Sequence, residues 1–408
     1  MDDFPRLRYV EAFPVNSRGE KFICLRDPLN MTDKIVFLPL PVYFTATMFD
    51  GKHSIRDIQA AYMRQFGQLL YTEKIQDLIN QLDANLFLES PRYLAHKSRL
   101  EKEFENASNR LPAHAGTSYS ADPEELRTKL DQHFEEVRRE RELSSKFPNG
   151  SPKAIIAPHI DLRVGAACYA WAYEQIRDSD FHLFVVLGTA HAQTNHLFVA
   201  TFKDYETPFG TVRTNRPMLE NLKEECGERL FEDEFAHKQE HSIEFQMVFL
   251  KYLFSNGREF EVLPILCGSF HQMIFDRKSP DVDEEFRKFA DSLRELLAKS
   301  RLRTCLIAGA DLAHIGLRFG DPLPPDDLEL ARLKQEDEMK LKYVEKMDKE
   351  GFWKSIARDQ DRRRICGFPC IYTMLNLSEA KEGQLLKYGV MDDRNTGSAV
   401  SYASMVFH

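Results

Sequence analysis

After Pro152 the sequence alternates between short apolar segments and amphipathic segments, and no other feature constrains the fold as strongly. The apolar segments have the length of buried strands, and the amphipathic ones have the spacing of helices that cover a sheet. The predicted strands are 154–157, 183–187, 197–201, 262–266, 305–308 and 400–407. The predicted helices are 165–177, 217–226, 242–254, 283–298 and 326–349. This alternation predicts an α/β fold with a sheet flanked by helices.

The first part of the chain follows a different pattern. Its predicted strands are 22–26, 34–40 and 86–88. Asp50-Gly51 predicts a turn, and two amphipathic helices follow it. Ser54, with Asp57 three residues later, is the expected cap of the first helix, and Thr72 is the expected cap of the second. These elements predict a small α+β winged-helix-like domain at 1–95.

The turn at Asp50-Gly51, the helix around Ile58 and the segment 82–87 resemble the PqqD-like winged helices that recognise peptides and accompany some radical enzymes. The resemblance implies that this domain recruits a peptide or a partner protein. The segment 96–110 is rich in Glu, Lys and Arg, which predicts a charged linker. The remaining residues, 111–408, are expected to form the second domain, with a helix over 122–142 at its start.

The charge of the chain argues against nucleic-acid binding. Lys and Arg total 55 and Asp and Glu total 64, so the formal charge is −9, whereas nucleic-acid-binding proteins usually carry a positive field. No run of about 18 apolar residues predicts a membrane span, and the first residues lack a signal-peptide pattern. The seven cysteines include no CxxC pair, which argues against a disulfide framework and a zinc ribbon. We therefore expect a cytoplasmic protein without nucleic-acid or membrane partners.

Histidine or aspartate follows three of the predicted strands almost directly. His159 follows the first of them, His191 the second, and Asp311 and His314 the third. Ligands of open α/β sheets bind at the carboxyl ends of strands, where loops converge. One such histidine alone would most often be structural. A cluster of imidazoles with a carboxylate suits either a metal ion or acid–base chemistry.

Two further motifs carry reactive side chains. His237, His241 and Glu244 would share one face if this segment were helical, and without the HExxH order they indicate a polar face beside a substrate pocket. Cys366 precedes Pro369, which fits the first position of a helix. The positive end of that helix would favour a thiolate, the form that binds metals and attacks electrophiles. The alternative for Cys366 is a small residue before a tight turn.

Six separated motifs resemble the Memo family, whose bacterial and archaeal members are called AmmeMemoRadiSam system protein B. They are Ala157-Pro158-His159, Gly188 with His191, Glu240-His241-Ser242-Ile243-Glu244, Asp311 with His314, Ile365-Cys366-Gly367 and Val400-Ser401-Tyr402-Ala403. The segment Ala115-Gly116-Thr117-Ser118-Tyr119 also resembles the opening motif of that family. The resemblance covers roughly 111–408 and implies a fold similar to class III extradiol dioxygenases. Thr189-Ala190 and Ile160-Asp161 differ from the animal members, so substrate preferences do not carry over.

The resemblance implies that His159, His191 and Cys366 hold a metal ion, with Asp311 and His314 lining the same pocket. The dioxygenases hold ferrous iron with two histidines and one carboxylate, and leave positions on the metal open. A thiolate replaces the carboxylate here. Because it is a softer ligand, copper and zinc become alternatives to iron, which is the expected ion. His314 would act as an acid or base, and Asp311 would orient a ligand imidazole or a bound water.

Three functions stay open. The first is a mononuclear metal protein with oxidoreductase potential, in which His241 assists His314 and, as the resemblance implies, a radical SAM protein and an Amme-type protein are partners. The second is a non-catalytic protein that binds a peptide or small molecule in the same pocket. The third is an enzyme with Cys366 as nucleophile, activated by His314 or His241. It is disfavoured because it gives the two strand-end histidines no role.

Overall fold

The computed structural model describes residues 4–17, 20–29, 31–142, 151–254 and 257–408. The chain divides into two units. The smaller one comprises Met1–Asn106, Gly316–Pro324 and Asp393–Ser398. The larger one comprises Ala107–Ile315, Pro325–Asp392 and Ala399–His408. None of the helices in these described ranges combines the length and the apolar character that a bilayer crossing requires.

The smaller unit begins with a sheet and continues with helices. Its elements are β1 (Glu11–Ser17), β2 (Glu20–Arg26), β3 (Ile35–Pro39), α1 (Leu40–Thr47), α2 (Ile55–Phe66), α3 (Thr72–Ala84) and α4 (Pro91–Asn106). The three strands pair antiparallel in the order β1-β2-β3. Ser54 caps α2 as predicted, because its side chain accepts a hydrogen bond from the N–H of Asp57 and the Asp57 side chain accepts one from the N–H of Ser54. This reciprocal pair satisfies two N–H groups that would otherwise lack partners.

Three details of this unit differ from the sequence patterns. Thr72 is the first residue of α3, so the cap position belongs to Tyr71. The predicted strand 86–88 is reduced to one bridge between Leu88 and Leu7, because Leu86 has a φ of 64° and interrupts the extended chain. Most of the segment 96–110 is helical, since α4 continues to Asn106.

The larger unit alternates strands and helices. Its strands are β4 (Asn109–Arg110), β5 (Ala154–Ala157), β6 (Leu183–Thr189), β7 (Phe198–Ala200), β8 (Asp204–Thr207), β9 (Gly210–Thr214), β10 (Glu261–Cys267), β11 (Thr304–Gly309), β12 (Asp311–Gly316), β13 (Gly383–Asp393) and β14 (Ser398–Phe407). Its helices are α5 (Pro123–Glu142), α6 (Leu162–Glu174), α7 (Arg216–Cys226), α8 (Arg229–Glu232), α9 (His241–Leu253), α10 (His271–Asp276), α11 (Glu284–Lys299), α12 (Asp327–Glu345), α13 (Lys349–Ala357) and α14 (Phe368–Leu377). The predicted helix 326–349 is two helices, because Met347 has a φ of 57° and Asp348 caps α13.

These strands form one mixed sheet. Their order is β12-β14-β5-β11-β6-β10-β9-β8-β4, with β13 beside β14 and β7 beside β10. The central strands β5, β11, β6 and β10 are parallel to their neighbours within this set, whereas β14 is antiparallel to β5 and β8 is antiparallel to β9. The α/β fold with a helix-flanked sheet is confirmed. The carboxyl ends of the four central strands meet at one edge.

Both faces of the central sheet are buried. Ile156 belongs to an apolar cluster that includes Leu293 of α11 and Ile371 of α14. Its neighbour Ile155 faces the opposite way and belongs to a cluster with Phe249 of α9. Each fully buried side chain of this size stabilises the fold by about 1.5–3 kcal/mol relative to exposure. The sheet is therefore a rigid support for the loops at its carboxyl edge.

Candidate functional site

The register of the central strands places the loops that follow β5, β6 and β11 side by side. Gly309, the last residue of β11, pairs with the last residue of β5 and with Gly188 of β6. His159 follows β5, His191 follows β6, and Asp311 follows β11. These three residues were predicted at strand ends. The structure brings them to the same edge of the sheet.

His159, His191 and Cys366 form a group that could hold a metal ion. One ligand atom of each residue lies within 4.8 Å of the others. The Sγ atom of Cys366 lies 3.2 Å from Nε2 of His159, and the two imidazole rings have centroids 5.0 Å apart at an angle of 82°. The side chain of His159 is 2% exposed, and that of His191 is 35% exposed. The group is thus buried on one side and open on the other.

Hydrogen bonds fix the orientation and tautomer of His159. Its Nδ1 donates to the carbonyl oxygen of Gly309 at 2.9 Å, and its backbone N–H donates to Oδ1 of Asp311 at 2.9 Å. Burial lowers the pKa of His159 to about 3, so the ring is neutral near pH 7. Its proton is on Nδ1, and Nε2, which faces Cys366, carries the lone pair.

Glu240 holds His191 from the other side. Its carboxylate accepts hydrogen bonds from the backbone N–H of His191 at 2.9 Å and from Nδ1 at 3.0 Å. The same carboxylate caps α9, because it accepts from the N–H of Ser242 at 3.0 Å. Burial alone would raise the pKa of Glu240, but His191 and His241 hold it well below its usual range. Sequence reasoning gave Glu240 no role, although an acidic residue directly before a helix was the available signal.

Cys366 lies in a tight loop before α14. Gly367 is the cap of α14 and Pro369 is the second helical residue, one position later than predicted. A Cβ atom on Gly367 would lie 2.4 Å from the carbonyl oxygen of Asp311, so only glycine permits this approach. The expected effect of the helix on the thiol does not prevail, because burial raises the pKa of Cys366 well above its usual value. The thiol form is stable unless a cation is close.

Asp311 lies beside His159, whereas His314 lies farther along β12. The two oxygens of Asp311 differ in role, since Oδ1 accepts from the N–H of His159 and Oδ2 lies 3.7 Å from Nε2 of that ring. Burial raises the pKa of Asp311 to about 6. We expected His314 in the loop after a strand, but it lies within β12. Its Nδ1 donates to the carbonyl oxygens of Leu312 and Arg364, and burial lowers its pKa to about 4.

His241 adjoins the group as its third imidazole. It is the first residue of α9, and its ring stacks on that of His191 with centroids 4.6 Å apart. The ring of His159 is 5.4 Å away, and Nδ1 of His241 is 3.3 Å from Glu240. Burial lowers the pKa of His241 well below its usual value. His241 therefore contacts both candidate histidine ligands.

His237 does not share the face that a continuous helix would have given it. It lies in a separate 3₁₀ helix, Glu234–Lys238, because α9 begins only at His241. Its Nε2 donates to the carbonyl oxygen of Val199 at 3.0 Å, and its Nδ1 accepts from the hydroxyl of Tyr205 at 2.7 Å. The expectation of a common face with His241 was wrong, and the role of His237 in the fold is structural.

Glu244 belongs to a buried ion pair. It contacts the guanidinium of Arg110 and the hydroxyl of Tyr119, and neither side chain of the ion pair is exposed. Arg110 also donates to the carbonyl oxygens of His237 at 3.0 Å and Glu240 at 2.9 Å. This network attaches the start of the larger unit to the loop that carries Glu240.

A cavity of about 290 Å³ borders the metal-ligand candidates. Its wall includes His191 and Cys366 together with Thr189, whose hydroxyl donates to the carbonyl oxygen of Cys366 at 3.2 Å. The other lining residues are Ala190, Cys267, Gly268, Ser269, Phe270, His271, Ile274, Asp361, Arg364, Ile365, Phe368 and Pro369. The volume is at the lower end of the range for small-molecule pockets.

Comparisons with known proteins find relatives that match most of this chain. A MEMO1 family protein of Aquifex aeolicus (strain VF5) is 31% identical over 408 residues, which cover 99% of this chain and 100% of the relative. A MEMO1 family protein of Methanopyrus kandleri is 27% identical over 309 residues, 73% of this chain and 98% of the relative. A third, of Thermus thermophilus, is 24% identical over 359 residues, 86% of this chain and 98% of the relative.

A family model described as Memo-like protein matches residues 110–406. The matched range contains all six motifs on which the resemblance was based. It also contains His159, His191, Cys366 and the cavity beside them. The resemblance is confirmed, and the chain belongs to the Memo family.

Proposed function

We propose that this protein is a mononuclear metal protein with an oxidoreductase-type activity on a small molecule. The observation that carries the proposal is the convergence of His159, His191 and Cys366, whose ligand atoms lie within 4.8 Å of one another. We further assign the larger unit to the class III extradiol dioxygenase-like folds. This assignment is supported by the mixed sheet with a metal-sized group at its carboxyl edge.

The donor set suits one transition-metal ion. His159 offers a neutral ring with its lone pair on Nε2, and Glu240 fixes the ring of His191 as an outer carboxylate does in many metal sites. Three protein ligands leave positions open for substrate, which is typical of catalytic centres. Iron is the ion we propose. Copper and zinc are the alternatives because the sulfur of Cys366 is a softer donor than a carboxylate.

A bound metal would supply Lewis acidity and, if it is redox-active, a route for electrons. The remaining groups handle protons. Asp311, with its pKa raised to about 6 by burial, can hold or accept a proton near neutral pH, and its Oδ2 is 3.7 Å from His159. His241 contacts both histidine ligands. We propose that His314 and His241 act as acid or base and that Asp311 positions His159.

Partner proteins are also part of the proposal. The resemblance to AmmeMemoRadiSam system protein B supports a radical SAM protein and an Amme-type protein as partners, and the smaller unit is the proposed PqqD-like recruiting domain. Copurification of tagged full-length chain with each coexpressed partner tests this. Recovery of the tagged chain without either coexpressed protein would contradict it.

The proposal is tested by adding Co²⁺ to metal-free protein without oxygen. We expect saturation at one equivalent and an absorption band from thiolate-to-cobalt charge transfer. Cys366→Ser should lose the band, whereas Cys226→Ser should keep it, because that buried cysteine ends α7 and is not one of the proposed ligands. An unchanged band in Cys366→Ser, or no binding by the wild type, would contradict the proposal.

A further inference from the structure

The hydroxyl of Thr189 connects two of the loops that carry the metal-ligand candidates. Thr189 is the last residue of β6, and His191 follows it closely in the loop after that strand. Its Oγ1 donates to the carbonyl oxygen of Cys366 at 3.2 Å. One short side chain therefore reaches from the end of β6 to the loop that precedes α14.

The backbone of Thr189 is itself held on two sides. In the register of β6 and β10 it pairs with Cys267. Its carbonyl oxygen accepts a hydrogen bond from the hydroxyl of Ser242 at 2.8 Å, and Ser242 lies in the first turn of α9. Thr189 is also buried. Its hydroxyl thus starts from a fixed point, as is expected of a group that supports a functional site.

The same hydroxyl also contacts the first turn of α14. Its Oγ1 lies 3.5 Å from Sγ of Cys370. A hydroxyl has one proton to donate and two lone pairs that accept. Because the proton goes to the carbonyl oxygen of Cys366, the thiol of Cys370 is the donor to Oγ1. These two hydrogen bonds attach the loop and the start of α14 to the same strand end.

The Cys366 loop has another anchor on a different strand. The N–H of Gly367 donates to the carbonyl oxygen of Asp311 at 3.1 Å, which attaches the loop to the start of β12. The hydroxyl of Thr189 attaches it to the end of β6. The loop is therefore held from two sides, and Thr189 supplies the contact on the side of His191.

We propose that Thr189 is a positioning residue of the metal centre, whose hydroxyl fixes the Cys366 loop relative to the His191 loop. This inference rests on the proposed function, because it assigns the residue that sets the separation of two of the ligands. Ligand atoms must lie within about 0.2 Å of their bonded distances to hold an ion well. Without the hydroxyl, the carbonyl of Cys366 loses this donor, and the loop can carry the sulfur out of position.

Cobalt titration of the metal-free full-length protein without oxygen is the first measurement. Thr189→Val keeps a side chain of similar shape but removes the hydroxyl. We expect it to bind Co²⁺ about tenfold more weakly, as when an outer partner of a ligand is lost, and to shift or weaken the thiolate-to-cobalt band. Thr189→Ser keeps the hydroxyl and should restore both. Thr214→Val is the matched control, since its buried hydroxyl donates to the carbonyl oxygen of Phe202 and lies outside the ligand group and the cavity wall.

Alkylation of Cys366 in the metal-free protein is a second measurement, and it needs no metal. Cys366 is partly exposed, whereas the other six cysteines are buried, so N-ethylmaleimide should react first at Cys366. Peptide mass spectrometry identifies the labelled residue. We expect faster labelling in Thr189→Val than in the wild type, Thr189→Ser or Thr214→Val, because the loop is held less firmly.

The cobalt series decides the inference if the wild type binds cobalt. An unchanged affinity and band in Thr189→Val then overturns it, and so does a loss of the same size in Thr214→Val. An equal loss in Thr189→Ser also overturns it, because the hydroxyl would not be the cause. If the wild type binds no cobalt, the proposed function fails and the labelling series decides. Faster labelling in Thr189→Val then supports the role of Thr189, and equal rates overturn it.

Discussion

The Sγ atom of Cys366 lies 3.2 Å from Nε2 of His159, although 207 residues separate them along the chain. Nδ1 of His159 donates to Gly309, so Nε2 is the acceptor and the thiol is the donor. The proton between these atoms is the one that a metal ion would displace. The contact therefore joins two of the three proposed ligands.

Glu240→Gln should weaken metal binding by about 10–100-fold, as is usual when the partner of a histidine ligand is lost. The carboxylate accepts from both the backbone N–H and Nδ1 of His191, and the amide removes the negative charge that this position carries. Competition with a chelator measures the affinity. Glu232→Gln, at an exposed carboxylate paired with His196, should bind metal as the wild type does. Equal affinities of the two variants would refute the orienting role.

Gly367→Ala should lower the free energy of unfolding by about 1–3 kcal/mol, the usual cost of overpacking. The new methyl group would lie 2.4 Å from the carbonyl oxygen of Asp311 and 2.5 Å from Cβ of Ala310. The loop must then move, and Cys366 moves with it. Urea unfolding measures the stability, and metal content should fall in parallel. A variant with unchanged stability and full metal content would show that the close approach is unnecessary.

Arg110→Met should destabilise the protein by about 3–5 kcal/mol, because it leaves the buried charge of Glu244 without its cationic partner. Both side chains of this pair are 0% exposed. Lys129→Met breaks an exposed pair with Glu125 and should leave the free energy of unfolding nearly unchanged. Urea titrations of the two variants give the comparison. Similar losses in both would contradict the importance assigned to the buried pair.

His237 should make the protein less stable in acid. Burial lowers the pKa of His237 from 6.5 to about 3, so the unfolded chain takes up the proton first as the pH falls. Stability is therefore present above pH 6.5 and is lost between pH 6.5 and about 3, by up to about 1.4 kcal/mol per pH unit. His237→Gln should be less stable at pH 7.5 but should show a flatter decline below pH 6.5 in urea titrations. Parallel curves would contradict this assignment.

The sequence predicted the central strands well because their residues are apolar on both faces. The strand Ala154–Ala157 agrees with its predicted bounds. Strands β8 and β9 were missed, since short polar sequences such as Asp204–Thr207 become strands only through their partners. The residues Asp311–Gly316 were expected to form a loop. They form a strand through pairing with the neighbouring β14.

Positions at strand ends and helix starts were the informative signals for the candidate site. They singled out His159, His191 and Cys366, which the structure brings together. Glu240 was missed because its contact with His191 spans 49 residues and depends on the packing of α9 against β6. His237 was misplaced because the 3₁₀ helix Glu234–Lys238 ends before α9 begins at His241. Local periodicity cannot show such a break.

Metal content, measured by elemental analysis of protein purified anaerobically from metal-replete cells, tests the central claim most directly. We predict about one transition-metal ion per wild-type chain, because His159, His191 and Cys366 form a single site. We predict almost none in His191→Ala or Cys366→Ser. Cys226→Ser should keep the wild-type content. A wild type without metal, or a Cys366→Ser variant that retains the full amount, would contradict the account.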